Sequence, residues 1–66
     1  MLLKIYSSRE MAKIIGADGW YLVSHNGTSH QQYKHPTKKG RVTIPHPRKE
    51  LDPKTAKSIL KQAGLS

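Results

Sequence analysis

The spacing of apolar positions switches between a helical and a strand-like period, and the switches mark out the elements. Met11, Ile14 and Ile15 follow the i, i+3, i+4 rule, which lays one apolar stripe along a helix. Ser7-Ser8-Arg9-Glu10 precedes that stripe as a capping box, with Ser7 as N-cap and Glu10 reaching back to it. Tyr6 and Met11 fall at the positions of a hydrophobic staple, and the helix should stop near Gly16, with Asp18-Gly19 as the turn after it. Residues 20–25 are rich in aromatic and β-branched side chains and predict a strand. Asn26-Gly27 then turns the chain back, because both central residues of a type I′ turn need φ > 0. Residues 29–35 form the returning antiparallel strand, residues 36–40 a turn, and residues 41–45 a third strand with Val42 and Ile44 inward and Thr43 outward. Trp20, Leu22 and Tyr33 complete the expected core, with Tyr21 at its edge.

After a basic connection without hydrophobic period, Asp52-Pro53 opens a second helix. Asp52 accepts from the first unpaired N–H groups, and Pro53 at the first helical position loses no hydrogen bond. Ala56, Ile59, Leu60 and Ala63 line its inner face, and Gly64 stands where a helix C-terminus is capped. Without repeats or a linker, the order predicts an α+β fold, α-β-β-β-α: a three-stranded antiparallel sheet with both helices on one face, one domain over residues 1–66.

Composition narrows the function. A 66-residue chain has room for one small core, and with no cysteine it has no disulfide to support it. The lack of cysteine fits a reducing cytosol, and no apolar run approaches the ~20 residues that span a bilayer. The opening residues 1–6 are too short and interrupted for a secretory signal, so a soluble, cytoplasmic protein without a membrane partner is expected. Twelve Lys/Arg against four Asp/Glu give a net charge of +8. Such a balance draws a polyanion, either nucleic acid or an acidic protein that imitates or occludes it; a solubilising surplus is the bland alternative.

The four histidines, His25, His30, His35 and His46, raise a metal site. His30 and His35 have an odd spacing and should face opposite sides of a strand, and there is no cysteine to complete a ligand set. Neither a phosphate-cradling glycine loop nor a paired-carboxylate motif is present, so no metal, cofactor or small-molecule ligand is expected. What is left is His30 at the start of a strand on a basic protein. Imidazole ordinarily titrates near neutrality, and RNA brings its own nucleophile, the 2′-OH. A metal-free ribonuclease needs only such a group at the scissile phosphate, with cations for the developing charge. Lys34, Lys38, Lys39, Arg41, Arg48 and Lys49 are the candidate RNA contacts, and Tyr21, read as an edge-of-core residue, has stacking on a base as its alternative. On residues alone, an inert surface histidine stands beside this reading. His35-Pro36 and His46-Pro47 read as loop-shaping dipeptides.

Several segments carry a family resemblance in order: Gly19-Trp20; Gly27-Thr28-Ser29-His30 running into Tyr33-Lys34-His35-Pro36; residues 40–47; Glu50-Leu51; and residues 58–65. They resemble the HicA (YcfA-like) toxins, the mRNA interferases of the HicA/HicB type II toxin–antitoxin system. The resemblance implies a fold similar to a double-stranded-RNA-binding domain and metal-independent cleavage of mRNA by one histidine in a Gly-Ser-His type motif. That histidine maps onto His30, with Gly27, Thr28 and Ser29 in support, and the implied protein partner is a HicB-type antitoxin. The chain departs from the pattern at Gln31, where many members have a second histidine. It departs again at Thr28, in the usual place of the glycine, and at Ser24, where arginine is common. Two alternatives follow: a non-catalytic RNA-binding module of the same fold, a degenerate toxin, or an interaction protein whose basic face serves only an acidic antitoxin.

Overall fold

The computed structural model describes residues 5–24 and 30–66, with Ser24 described by its backbone alone. The elements are α1 (Ser8–Ala17), β1 (Tyr21–Ser24), β2 (His30–Lys34), β3 (Val42–Pro45) and α2 (Pro53–Gln62), the predicted α-β-β-β-α order. The Asn26-Gly27 turn, the Gly27-Thr28-Ser29 stretch and His25 lie outside the described residues, as do residues 1–4 of the opening segment. His35 falls just beyond β2.

Both helices begin as their sequences dictate. The Ser7 hydroxyl accepts from the Glu10 N–H at 3.1 Å, and the Glu10 carboxylate accepts from the Ser7 N–H at 3.1 Å, so the capping box closes in both directions. Tyr6 packs half-buried against the core. At α2 the Asp52 carboxylate accepts from the Lys54 N–H at 3.1 Å, with Pro53 at the first helical position. Among the described residues, no helix is long and apolar enough to cross a membrane.

The sheet runs β1-β2-β3, antiparallel throughout. Tyr21 lies opposite Lys34 and Leu22 opposite Tyr33, before a β-bulge between Leu22 and Ser24. Between β2 and β3, His30 pairs with Pro45, Gln31 with Ile44, Gln32 with Thr43 and Tyr33 with Val42. Strand alternation therefore sorts Tyr33, Val42 and Ile44 to an inner face and His30, Gln32, Lys34, Tyr21 and Thr43 to an outer one. Both helices pack chiefly over β3 on the inner side. Met11 and Ile15 of α1 and Ala56 and Ile59 of α2 close a core with Trp20, Leu51 and Ala63.

That placement corrects two expectations. Leu22 points to the inner side beside Tyr33, yet it is 46% exposed and not part of the core. The helices sit over the opposite edge strand, so neither of them roofs β1 at this position. Tyr21, expected at the edge of the core, stands on the outer face at 50% exposure.

Candidate nucleic-acid interface

The outer face of the sheet is built in rows set by strand register. One row holds Tyr21 opposite Lys34, and Arg41 joins it because it precedes Val42, the partner of Tyr33. The middle row is polar: Thr43 donates through its hydroxyl to the Gln32 side-chain oxygen at 3.2 Å. The far row holds His30 opposite Pro45. His30, Lys34 and Arg41 are exposed.

Beyond Pro45 the chain turns through a cis His46-Pro47 bond into the basic connection. Arg48 is stitched there to the start of α1: its carbonyl accepts from the Ser8 N–H (3.0 Å) and hydroxyl (3.2 Å), and its N–H donates back to that hydroxyl (3.0 Å). These bonds form a groove lined by Ser7, Ser8, Arg9, His46, Pro47, Arg48 and Lys49. It lies at the His30 end of the sheet, so predicted cations flank β2 at both ends. Arg9 joins them although sequence reasoning assigned it only to the capping segment. Its contribution depends on the fold bringing residue 48 to residue 8, which no local pattern reveals.

The carboxylates are distributed just as unevenly. Of the four acids, Glu10 closes the α1 cap, Asp52 caps α2, and Asp18 is held in an internal pair. Glu50 lies in the connection before α2. Among the described residues, the outer face of the sheet carries no carboxylate. A basic face with no internal counter-charge keeps its field for an external anion.

Lys38 is placed differently from its neighbours. Its ammonium donates to an Asp18 carboxylate oxygen at 2.5 Å and to the Ala63 carbonyl at 3.0 Å, tying the α1–β1 turn to the end of α2. A lysine against terminal helix carbonyls also suits the negative end of the helix dipole. Lys34, Lys39 and Arg41 are the cations of this stretch left exposed at the surface.

His35 completes the same internal cluster. Its Nδ1 accepts the N–H groups of Thr37 (3.1 Å) and Lys38 (3.0 Å), so the proton of the neutral ring sits on Nε2 and is donated to the Asp18 carbonyl at 2.7 Å. The ring meets Trp20 edge-on at a centroid distance of 5.2 Å. It lies over Gly19, whose φ is +110° and whose missing Cβ would fall 2.8 Å from Nε2. The Gly19-Trp20 and His35-Pro36 motifs are thus two sides of one structural joint. His35 was legible only as a loop-shaping residue, because its partners are distant in sequence.

The joint makes stability depend on acid. The Lys38 hydrogen bond holds the Asp18 carboxyl below its ordinary value of 3.8; the charge of Lys38 acts the same way, against a smaller loss of hydration. A depressed carboxyl contributes stability that is present above its unfolded value and lost as pH falls through the folded one. The urea midpoint of the wild type should therefore fall more steeply below about pH 4 than that of Asp18→Asn. Parallel curves for the two proteins would show that the pair contributes nothing.

The comparisons with known proteins agree with this fold. No curated protein matches the chain. A structure described as a toxin–antitoxin complex from Streptococcus pneumoniae contains a chain that is 32% identical, with a TM-score of 0.73 over 89% of this chain and 97% of that one. Residues 8–65 match the family model of the HicA toxin of bacterial toxin–antitoxin systems. The match runs from the first residue of α1 to the segment after α2, and on it this chain belongs to the HicA toxin family.

Proposed function

We propose that this toxin is a metal-independent endoribonuclease that cleaves mRNA, with His30 as its general acid/base and a HicB-type antitoxin as its inhibitor. The observation that carries the reading is the exposed His30 on a sheet face with cations at both ends and, among the described residues, no carboxylate. Gly27, Thr28 and Ser29 lead into His30 as the supporting part of the motif. Lys34, Lys39 and Arg41 at one end, with Arg48 and Lys49 at the other, contact the RNA backbone. Lys38 contributes to that field while its ammonium holds Asp18. The antitoxin half of the proposal is supported by the similar chain found in a toxin–antitoxin complex. A basic face of this kind also suits an acidic inhibitor.

The chemistry uses the substrate's own nucleophile. The 2′-oxygen attacks the adjacent phosphorus, the bond from phosphorus to O5′ breaks, and the fragments end in a 2′,3′-cyclic phosphate and a 5′-hydroxyl. An imidazole at the scissile phosphate serves one half of this transfer, taking the 2′-OH proton or delivering one to O5′. Cations stabilise the charge gathering on the phosphate oxygens.

Incubating a long mRNA with substoichiometric protein in EDTA tests the proposal. Fragments with cyclic-phosphate ends are expected. Intact RNA with a salt-sensitive gel shift would replace the proposal with a non-catalytic binding module, and intact RNA without a shift would leave only the antitoxin-binding role.

A further inference from the structure

Tyr21 is a large aromatic side chain placed on the same outer face as His30, half in solvent, at the edge of a core that does not use it. Its register partner is Lys34, and Arg41 follows on the next strand, so one row carries an aromatic ring and two cations. From Lys34 to His30 is four residues of β2, about 14 Å at an antiparallel rise of ~3.4 Å per residue. The polar Gln32–Thr43 pair lies between them. Among the described residues no helix covers this side, because α1 and α2 both pack on the inner face.

An exposed ring beside phosphate-binding cations suits one class of ligand. A base can stack on an aromatic side chain only when it has left its own stack, as bases in single strands do; the bases of a duplex are occupied on both faces. We infer that the substrate lies along β2 as a single strand, with one base stacked on Tyr21, the neighbouring phosphates on Lys34 and Arg41, and the scissile phosphate at His30. This inference rests on the ribonuclease reading for the position of the cut, but not for the stacking. Tyr21 is then a positioning residue that selects unpaired RNA and fixes the distance between a recognised base and the cleaved bond.

The experiment uses the full chain carrying His30→Ala, so that RNA survives the measurement, and follows the anisotropy of a short labelled RNA, single-stranded or annealed to its complement, across a salt series. The single strand should bind more tightly than the duplex. Adding Tyr21→Ala should weaken single-strand binding about 5- to 150-fold, the value of one base stacked on an aromatic ring, and leave duplex binding unchanged. Tyr21→Phe should stay within about twofold, since the ring face is kept. The salt slope should not move in Tyr21→Ala, because no charge is lost, whereas Lys34→Ala should reduce it by about 0.7. Leu22→Ala, on the opposite face of the same strand, should bind like its parent.

Equal affinity for duplex and single strand, or a Tyr21→Ala protein within about twofold of its parent, would overturn the inference. So would an equal loss in Leu22→Ala, which would trace the effect to the integrity of β1. Cleavage by the wild type is scored separately: RNA left intact by a protein whose single-strand binding needs Tyr21 removes the ribonuclease and keeps the stacking. Cleavage with a neutral Tyr21→Ala does the reverse.

Discussion

His30→Ala is expected to lower the rate of mRNA cleavage by about two to four orders of magnitude, the usual contribution of a positioned general acid or base. Its stability should change by no more than about 0.5 kcal/mol, as for a surface substitution away from caps and core. The asymmetry follows from register. His30 sits opposite Pro45 on the outer face, while the core contacts of the same two strands are made by Tyr33, Val42 and Ile44. The rate is read from the appearance of fragments, and stability from urea unfolding followed by Trp20, the only tryptophan in the chain and a buried one. A His30→Ala protein that cleaves like the wild type would remove the residue from the mechanism. One that loses activity and unfolds together would make it structural. His35→Ala is the informative contrast, because that imidazole is spent on three backbone partners across the Gly19 joint and its loss should appear in the urea midpoint.

Alanine in place of glycine should have opposite signs at two positions three residues apart. At Gly19 the backbone has φ +110°, and an added Cβ would stand 2.8 Å from His35 Nε2. Strained backbone of this kind costs about 1–3 kcal/mol for a residue with a side chain. The clash must also move a ring held by the Asp18 carbonyl and two N–H groups. For a small domain whose whole stability is of the order of 0.05–0.15 kcal/mol per residue, the sum is a large share. Gly19→Ala should therefore be extensively unfolded, with the Trp20 emission of a solvent-exposed indole. Gly16, in contrast, is exposed inside α1 with nothing within 4 Å of a built Cβ. Gly16→Ala should raise stability by about 0.5–1 kcal/mol through the better helix propensity of alanine. A Gly19→Ala protein as stable as the wild type would mean that the joint yields without cost.

The elements were legible because their signals are local. The capping box, the i, i+3, i+4 stripe of α1, the alternation of Val42 and Ile44, and Asp52-Pro53 each act within a few residues and each formed as read. Leu22 was not legible. Its apolar character and alternation place it correctly on the inner side, but its burial depends on where the helices sit over the sheet, and they sit over β3. Lys38 is a similar case. Among the lysines and arginines of residues 34–41 nothing local distinguishes it, yet it alone bonds to Asp18 and Ala63, 20 and 25 residues away in the chain.

The sequence by itself determined the order of helices and strands, the excess of positive charge and the family, because these depend on short-range periodicity, composition and motif order. Tertiary structure decided which cations stay at the surface, that His30, Lys34 and Tyr21 share one face, and that His35 closes a joint instead of a site. The physical reason is register for the strand residues, since a slip of one residue would send His30, Lys34 and Tyr21 to the opposite face, and long-range packing for His35 and Lys38, whose partners are distant in the chain.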